Sequence, residues 1–361
     1  MKGADRSTRE PESGGSSRIS NDAGSQADNA QRSAHAVQQA APCIAWLLDA
    51  DPAIRWQVLQ DLTDAPPEAV AAERARVATE GLGAQLLAQQ ASDGRWNNAA
   101  WNRGWNSTMH ALLLLRDLGL DPASEAARHA AGLVRDNVTW VGCAPPECHS
   151  HPFFAGEVEP CINGQVALAG AYFRQDTTPI VERLLNEQLP DGGWNCDAEN
   201  GSTRSSFNTT ICALEALLAY EQNLAARSDV RDARLRGEAY LLERHLFHRR
   251  STGTPIEYDR KMGPASSPGV PAFTRLAFPT WWHYDVLRAL EYFRLAGASP
   301  DPRMKAAVDL VTSKRNADGR WSMEVVYPGV MPIDLGETIR RPSRWLTLRA
   351  LRVLRWYRAS A

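Results

Sequence analysis

Along most of the chain apolar residues return at the three- and four-residue steps of an amphipathic helix, and almost nowhere at the alternating step of a strand. Residues 1–40 are the exception: rich in Ser, Asn, Gly, Arg and Asp, they carry no hydrophobic period and read as a disordered tail. From there Ile44-Ala45-Trp46-Leu47-Leu48 and Ile54 to Leu62 take up helical spacing, with Asp51-Pro52 as a start signal for the second stretch. With the stretch from Pro67 to Thr79 they form an N-terminal helical extension over residues 41–81. Further on, Leu82 to Gln90, Pro179 to Gln188 and Pro302 to Lys314 are apolar on one side only. Cys212 to Tyr220 and Val286 to Phe293 are more continuously apolar, the pattern of helices buried on both sides. The pattern predicts an all-α chain.

Within it one unit recurs. Gln188-Leu189-Pro190-Asp191-Gly192-Gly193-Trp194 leads into the apolar run Thr209 to Leu218, Gln90-Ala91-Ser92-Asp93-Gly94-Arg95-Trp96 into Thr108 to Leu115, and Arg315-Asn316-Ala317-Asp318-Gly319-Arg320-Trp321 into Trp345 to Leu351. Each reads as helix, tight turn, helix: Asp turns the chain, Gly adopts a backbone conformation other residues resist, and Trp packs on a neighbour. The Asp residues stand 98 and 127 positions apart, near multiples of a hairpin period of about 50 residues. Weaker copies are expected between them, Glu125 to Val134 with Cys161 to Phe173, and Arg236 to His248 with Trp281 to Leu295. Residues 82–361 then hold about five helical hairpins.

Composition narrows the function classes. A net charge of −2 gives no global case for nucleic acid, and the Arg-rich stretch from Arg340 to Arg358 reads as a helix with a solvated face. No apolar stretch reaches bilayer-spanning length and no secretory segment precedes the helices, so a cytoplasmic protein with at most peripheral membrane contact is expected. Six cysteines, at 43, 143, 148, 161, 196 and 212, fit a reducing compartment better than a disulfide framework.

With these repeats the chain resembles the terpenoid cyclase and protein prenyltransferase superfamily, and Gln188 to Trp194 is similar to the QW repeat of squalene-hopene cyclases. The likeness covers about Leu82 to Tyr357. It implies an α/α toroid around an apolar cavity that holds an isoprenoid, with aromatic faces that favour developing carbocations. The DxDD acid of the class II cyclases and the DDxxD diphosphate motif are both missing from the sequence. The size of a single toroid suits a prenyltransferase β subunit, whose resemblance implies zinc held by an Asp-x-Cys pair and a His. Aligning Glu215-Ala216-Leu217 on Arg288-Ala289-Leu290 places Cys212 at the Cys position, His283 at the His position and Thr210 at the Asp position. A third ligand would come from Cys161, Cys196, Asp197 or Asp285.

Other candidates surround this register. The loop Cys143 to Cys161 is dense in groups that coordinate or titrate; it suits a structural zinc, a general acid such as Glu147, His149 or Glu157, or simply a connector with buried thiols. Trp281 and Trp282 read as cavity wall, with Trp345, Thr210 and His110 facing the same space, although His110 reads equally as a packed core histidine. Asp285 either orients His283 as a catalytic partner or caps its helix. Tyr258 to Phe278, with Arg260, Lys261 and Arg275, could close over the mouth and bind an anion. The function expected is an isoprenoid-handling enzyme acting on a long apolar substrate. The alternatives are a non-catalytic lipid- or peptide-binding toroid and a β-like subunit that needs a protein partner.

Overall fold

Three turns built to one plan set the frame. The computed structural model describes residues 42–140, 151–256 and 273–359, and residues 44–361 belong to one compact unit. At each turn a glycine takes a left-handed backbone conformation, with φ of 84° at Gly94, 96° at Gly192 and 83° at Gly319. At Gly192 a Cβ would also stand 2.7 Å from the carbonyl oxygen of Arg236. The Trp two residues on donates its indole N–H to the helix before the turn: Trp96 to Leu86 O at 2.8 Å, Trp194 to Leu184 O at 2.7 Å, Trp321 to Val311 O at 2.7 Å. Its backbone N–H donates to a threonine at the head of the helix after the turn: Thr108, Thr210 and Thr347. Gln90 and Gln188 each reach a further helix, through the carbonyls of Ala130 and Ala233. One short sequence therefore ties together two or three helices, through bonds that are buried at the Trp and partly buried at the Gln.

The chain is mostly helical. The extension supplies α1 (Pro52–Leu62), capped by the Asp51 carboxylate on Ala53 N at 2.9 Å, and α2 (Pro67–Ala75). Among the described residues five pairs follow: α3 (Gly81–Leu87) with α4 (Thr108–Leu118), α5 (Glu125–Asn137) with α6 (Pro160–Tyr172), α7 (Thr178–Asn186) with α8 (Phe207–Asn223), α9 (Ser228–Leu242) with α10 (Val286–Leu295), and α11 (Lys305–Ser313) with α12 (Arg344–Ala359). Two two-residue ladders, Thr139–Trp140 with His151–Pro152 and Trp321–Ser322 with Pro342–Ser343, are the strands among the described residues.

Second members of neighbouring pairs pack on one another along two stretches of the chain. α4 lies against α6, α6 against α8, α10 against α12, and α12 against α1. α6 and α8 meet backbone to backbone, because a Cβ on Gly164 would come within 2.6 Å of the Cys212 carbonyl. α8 reaches α10 through a buried ion pair, Arg288 to Glu215 at 2.6 Å. α1 reaches α4 through Trp56 Nε1 on Leu118 O at 3.0 Å.

The first of these helices also runs beside the last. Arg344 donates to the carbonyls of Trp46 and Asp49, Arg352 pairs with Asp61 at 3.1 Å and with Glu291 at 2.6 Å, and Arg355 donates to Asp61 O. Arg352 is thus a buried ion-pair residue on a helix expected to have a solvated face, so not every arginine of this stretch lies on that face. Two helices depart furthest from the extents the periodicity predicts. α9 starts at Ser228 and ends before His245 and Leu246, whose φ values of 45° and 67° stop a helix. α10 starts only at Val286, because Trp281 has φ 51° and Asp285 caps the helix on Arg288 N at 2.8 Å.

Candidate functional site

A cavity of about 1630 Å³ opens at the N-terminal ends of α6 and α8. Its apolar wall comes from Trp101, Trp105, Phe207, Tyr240, Phe273 and Trp282, and its polar wall includes Glu159, Cys161, Cys196, Asp197 and several arginines, among them Arg103, Arg204 and Arg249. Phe207 opens α8 and stands among Tyr240, Phe273 and Tyr284, all with ring centroids 5.0–5.5 Å away. Large, stiff rings of this kind give a wall that holds its shape and suits an apolar ligand.

Behind Trp105 and Trp282 lies a buried aromatic stack. Trp105 stacks on Trp281 at 5.4 Å, and His110 stands perpendicular to both at 5.3 and 5.1 Å. His283 is sandwiched between Trp282 at 3.7 Å and Tyr327 at 3.6 Å. Burial lowers the pKa of both imidazoles to about 3, so both are neutral at physiological pH. His110 Nδ1 is bonded to the Ser107 hydroxyl at 2.7 Å, while its Nε2 meets no conventional partner among the described residues and stands amid indole rings.

Arg288 organises this region from beneath. Its guanidinium donates to Glu215, to Trp281 O at 2.8 Å and to His283 O at 2.7 Å, and it approaches Cys212 Sγ at 3.7 Å. It thereby holds Trp281 in the left-handed conformation, which is strained for a residue of that size.

Among the described residues, Cys212 and His283 do not converge with a third His, Cys, Asp or Glu ligand atom. Burial pushes the Cys212 thiol up to about 12 despite Arg288 beside it, and the sulfur's contacts are Arg288 and Trp282 O. His283 Nδ1 contacts Thr280 O at 3.2 Å, its ring covered on both faces. Thr210 is committed to Trp194, and Asp197 is exposed, bonded to Asn200 Nδ2 at 3.2 Å. Among the described residues, Glu159, Cys161 and Cys196 are the His, Cys, Asp or Glu side chains whose ligand atoms converge as a trio, all within 4.8 Å of one another. Cys196 Sγ accepts from Cys161 N at 3.4 Å and lies 3.5 Å from Thr209 Oγ1. A hydrogen bond from the Cys161 thiol holds the Cys196 thiol below its usual value.

The remaining candidates separate. Asp285 is buried with both oxygens used, one on Arg288 N and the other on Ala277 N at 3.2 Å, so it acts as the cap. Glu157 has its pKa raised by burial and accepts from Glu159 N at 2.7 Å, outside the cavity wall. Trp282 lines the cavity, Trp281 and His110 lie in the stack behind it, and Trp345 is buried against Phe278 at 4.5 Å. Glu147, His149, Cys143, Cys148, Arg260 and Lys261 lie outside the described residues. Arg275 donates to Glu324 O at 2.6 Å.

No family model and no curated protein matches the chain. Among solved structures, a protein from Actinoplanes is similar at 19% identity over 90% of this chain and 99% of its own, with a TM-score of 0.44. The apo type II terpene cyclase MstE from Scytonema is similar at 17% identity over 84% of this chain and 86% of its own, with a TM-score of 0.39. Among the described residues no helix is long and apolar enough to cross a membrane.

Sequence reasoning passed over Arg288, Trp105 and Tyr327. Arg288 did carry a signal, since it shares its helical register with Glu215, the residue it pairs with. Trp105 and Tyr327 lie in loops, where no period marks them.

Proposed function

We propose that the chain closes its helices into an α/α toroid and handles an isoprenoid whose apolar chain lies in the aromatic-walled cavity. The observation that carries this reading is that cavity, whose rigid indole and phenyl walls stand beside arginines at the same opening. A long hydrocarbon gains roughly 25 cal/mol for each Å² of apolar surface it hides from water. The arginines suit an anionic end group. The toroid is supported by the packing order of α4, α6, α8, α10 and α12, with α1 between α12 and α4 as a sixth inner member beyond the five expected.

A non-catalytic carrier is the second reading. It is favoured by Asp285, whose two oxygens are already used by the backbone, and by His110 and His283, which burial keeps neutral.

Trp101, Trp105 and Trp282 make the test direct. Tryptophan emission should shift on titration with prenyl diphosphates, prenyl alcohols or squalene, and Trp282→Ala should weaken that response at least about tenfold, a loss of about 1.4 kcal/mol. Unchanged emission and no retention of any of the three ligand classes would overturn both readings. Binding followed by a mass-detected new product separates the enzyme from the carrier.

A further inference from the structure

We propose that Glu159, Cys161 and Cys196 form a binding site for a thiophilic divalent cation, zinc above all, with one coordination position facing the cavity. The site differs from the Cys212–His283 pair in every protein ligand, and it stands without the isoprenoid reading.

The spacing is what a tetrahedral ion needs. Zinc with bonds of about 2.3 Å to sulfur and about 2.1 Å to oxygen holds a sulfur and an oxygen about 3.6 Å apart and two sulfurs about 3.8 Å apart. Cys161 Sγ already lies 3.7 Å from Glu159 Oε2, and all three ligand atoms fall within 4.8 Å of one another.

Two of the three ligands are fixed by the fold. Cys161 sits in the first turn of α6, directly after Pro160, and α6 is held against α8 by the close approach at Gly164. Cys196 opens the short 3₁₀ turn Cys196–Ala198 two residues beyond Trp194, whose indole is anchored on Leu184 O. The exposed Glu159 is free to adjust. Around the sulfurs, Cys161 N–H donates to Cys196 Sγ and Thr209 Oγ1 lies beside it, the kind of outer contact that orients thiolate ligands.

All three residues line the cavity. Three protein ligands leave a tetrahedral ion one position for water or for a donor atom of a ligand, which is the arrangement of reactive rather than purely structural zinc sites. On binding, each thiol releases its proton to solvent, and the two thiolates with the carboxylate leave the ion–ligand set with a net charge of −1.

The full-length protein, tag-free, reduced with a phosphine and stripped of metal, is titrated with Co²⁺ and then Zn²⁺. The expected result is a thiolate-to-cobalt charge-transfer band with tetrahedral d–d bands, saturating at one equivalent and displaced by zinc. Cys161→Ser and Cys196→Ser should each abolish the charge-transfer spectrum while keeping the helical circular dichroism. Glu159→Gln, a change at an exposed position, should keep the thiolate band and weaken cobalt affinity at least about tenfold. Cys212→Ser and the double variant Cys143→Ser/Cys148→Ser should bind as wild type does.

Absence of the band in folded, reduced wild type overturns the proposal, as does a band that survives in both Cys161→Ser and Cys196→Ser. A wild type that loses two titratable thiols in air, yet binds no cobalt when reduced, makes the pair a disulfide couple and equally overturns it. No isoprenoid enters the measurement, so its failure is distinguishable from failure of the cavity reading.

Discussion

Replacing Arg288 by Met should be among the most destabilising single changes in the molecule. The guanidinium is 4% exposed and its partner Glu215 11% exposed, so the substitution leaves a buried carboxylate without its counter-charge. Two carbonyl acceptors, Trp281 O and His283 O, lose their donor at the same time. Stranding one member of a buried ion pair costs about 3–5 kcal/mol. Over a unit the length of residues 44–361, with an unfolding entropy of about 2.1 cal/mol/K per residue, that is a fall in Tm of about 4–8 °C.

Arg288→Met combined with Glu215→Leu removes both charges. It should recover most of the loss, because an apolar pair of similar volume stands in for the ions. It should not recover ligand binding, since Trp281 and His283 stay untethered. Calorimetry of the wild type, both single variants and the double variant forms a closed cycle, and the fluorescence titration is run on each. A drop in Tm below about 1 °C for Arg288→Met, or a double variant no more stable than the singles, would refute the argument that Arg288 is the buried hub of α8, α10 and the aromatic stack.

Acid should weaken the fold through His110 and His283. Their folded pKa values of about 3 lie below the unfolded value of about 6.5, so the unfolded chain binds protons that the folded chain refuses. The stability is fully present above about pH 6.5 and falls toward pH 3 by at most about 1.4 kcal/mol per pH unit for each histidine, and His110→Phe should flatten the fall of Tm between pH 6.5 and 5. Gly192→Ala meets both a φ of 96° and the Arg236 carbonyl, and denaturant melts should show a loss of about 1–3 kcal/mol. Trp194→Phe strands the buried Leu184 carbonyl and should cost about 1–3 kcal/mol by the same measurement.

What could be read in the sequence was what is local. The Asp-Gly-x-Trp turns announce themselves because the glycine, the tryptophan and the threonine of the next helix act over a few tens of residues, and all three turns repeat the same bonds. Thr210 shows the opposite case. Its register suggested a metal-ligand position, yet its hydroxyl is spent on Trp194 N, a demand that only the folded turn reveals. Cys196 belongs to a polar loop without period, so nothing in the chain's rhythm sets it beside Cys161; the Trp194 anchor and the α6–α8 contact do that together. Arg288 and Glu215 were visible as matching positions, but only packing turns a shared register into an ion pair.

The parallel run of α12 beside α1 has a bearing on how the molecule is made. Asp61 leaves the ribosome early and Glu291 much later, and both wait for Arg352, which lies in the 16-residue helix α12. Until that helix arrives, Asp61 lacks its buried Arg352 partner and Glu291 keeps only Arg294, three residues on in its own helix, at 3.0 Å. This seam therefore cannot close until Arg352 has been synthesised. A nascent chain stalled between Glu291 and Arg352 should be a better client for chaperones and proteases than one stalled after Arg352 has been added.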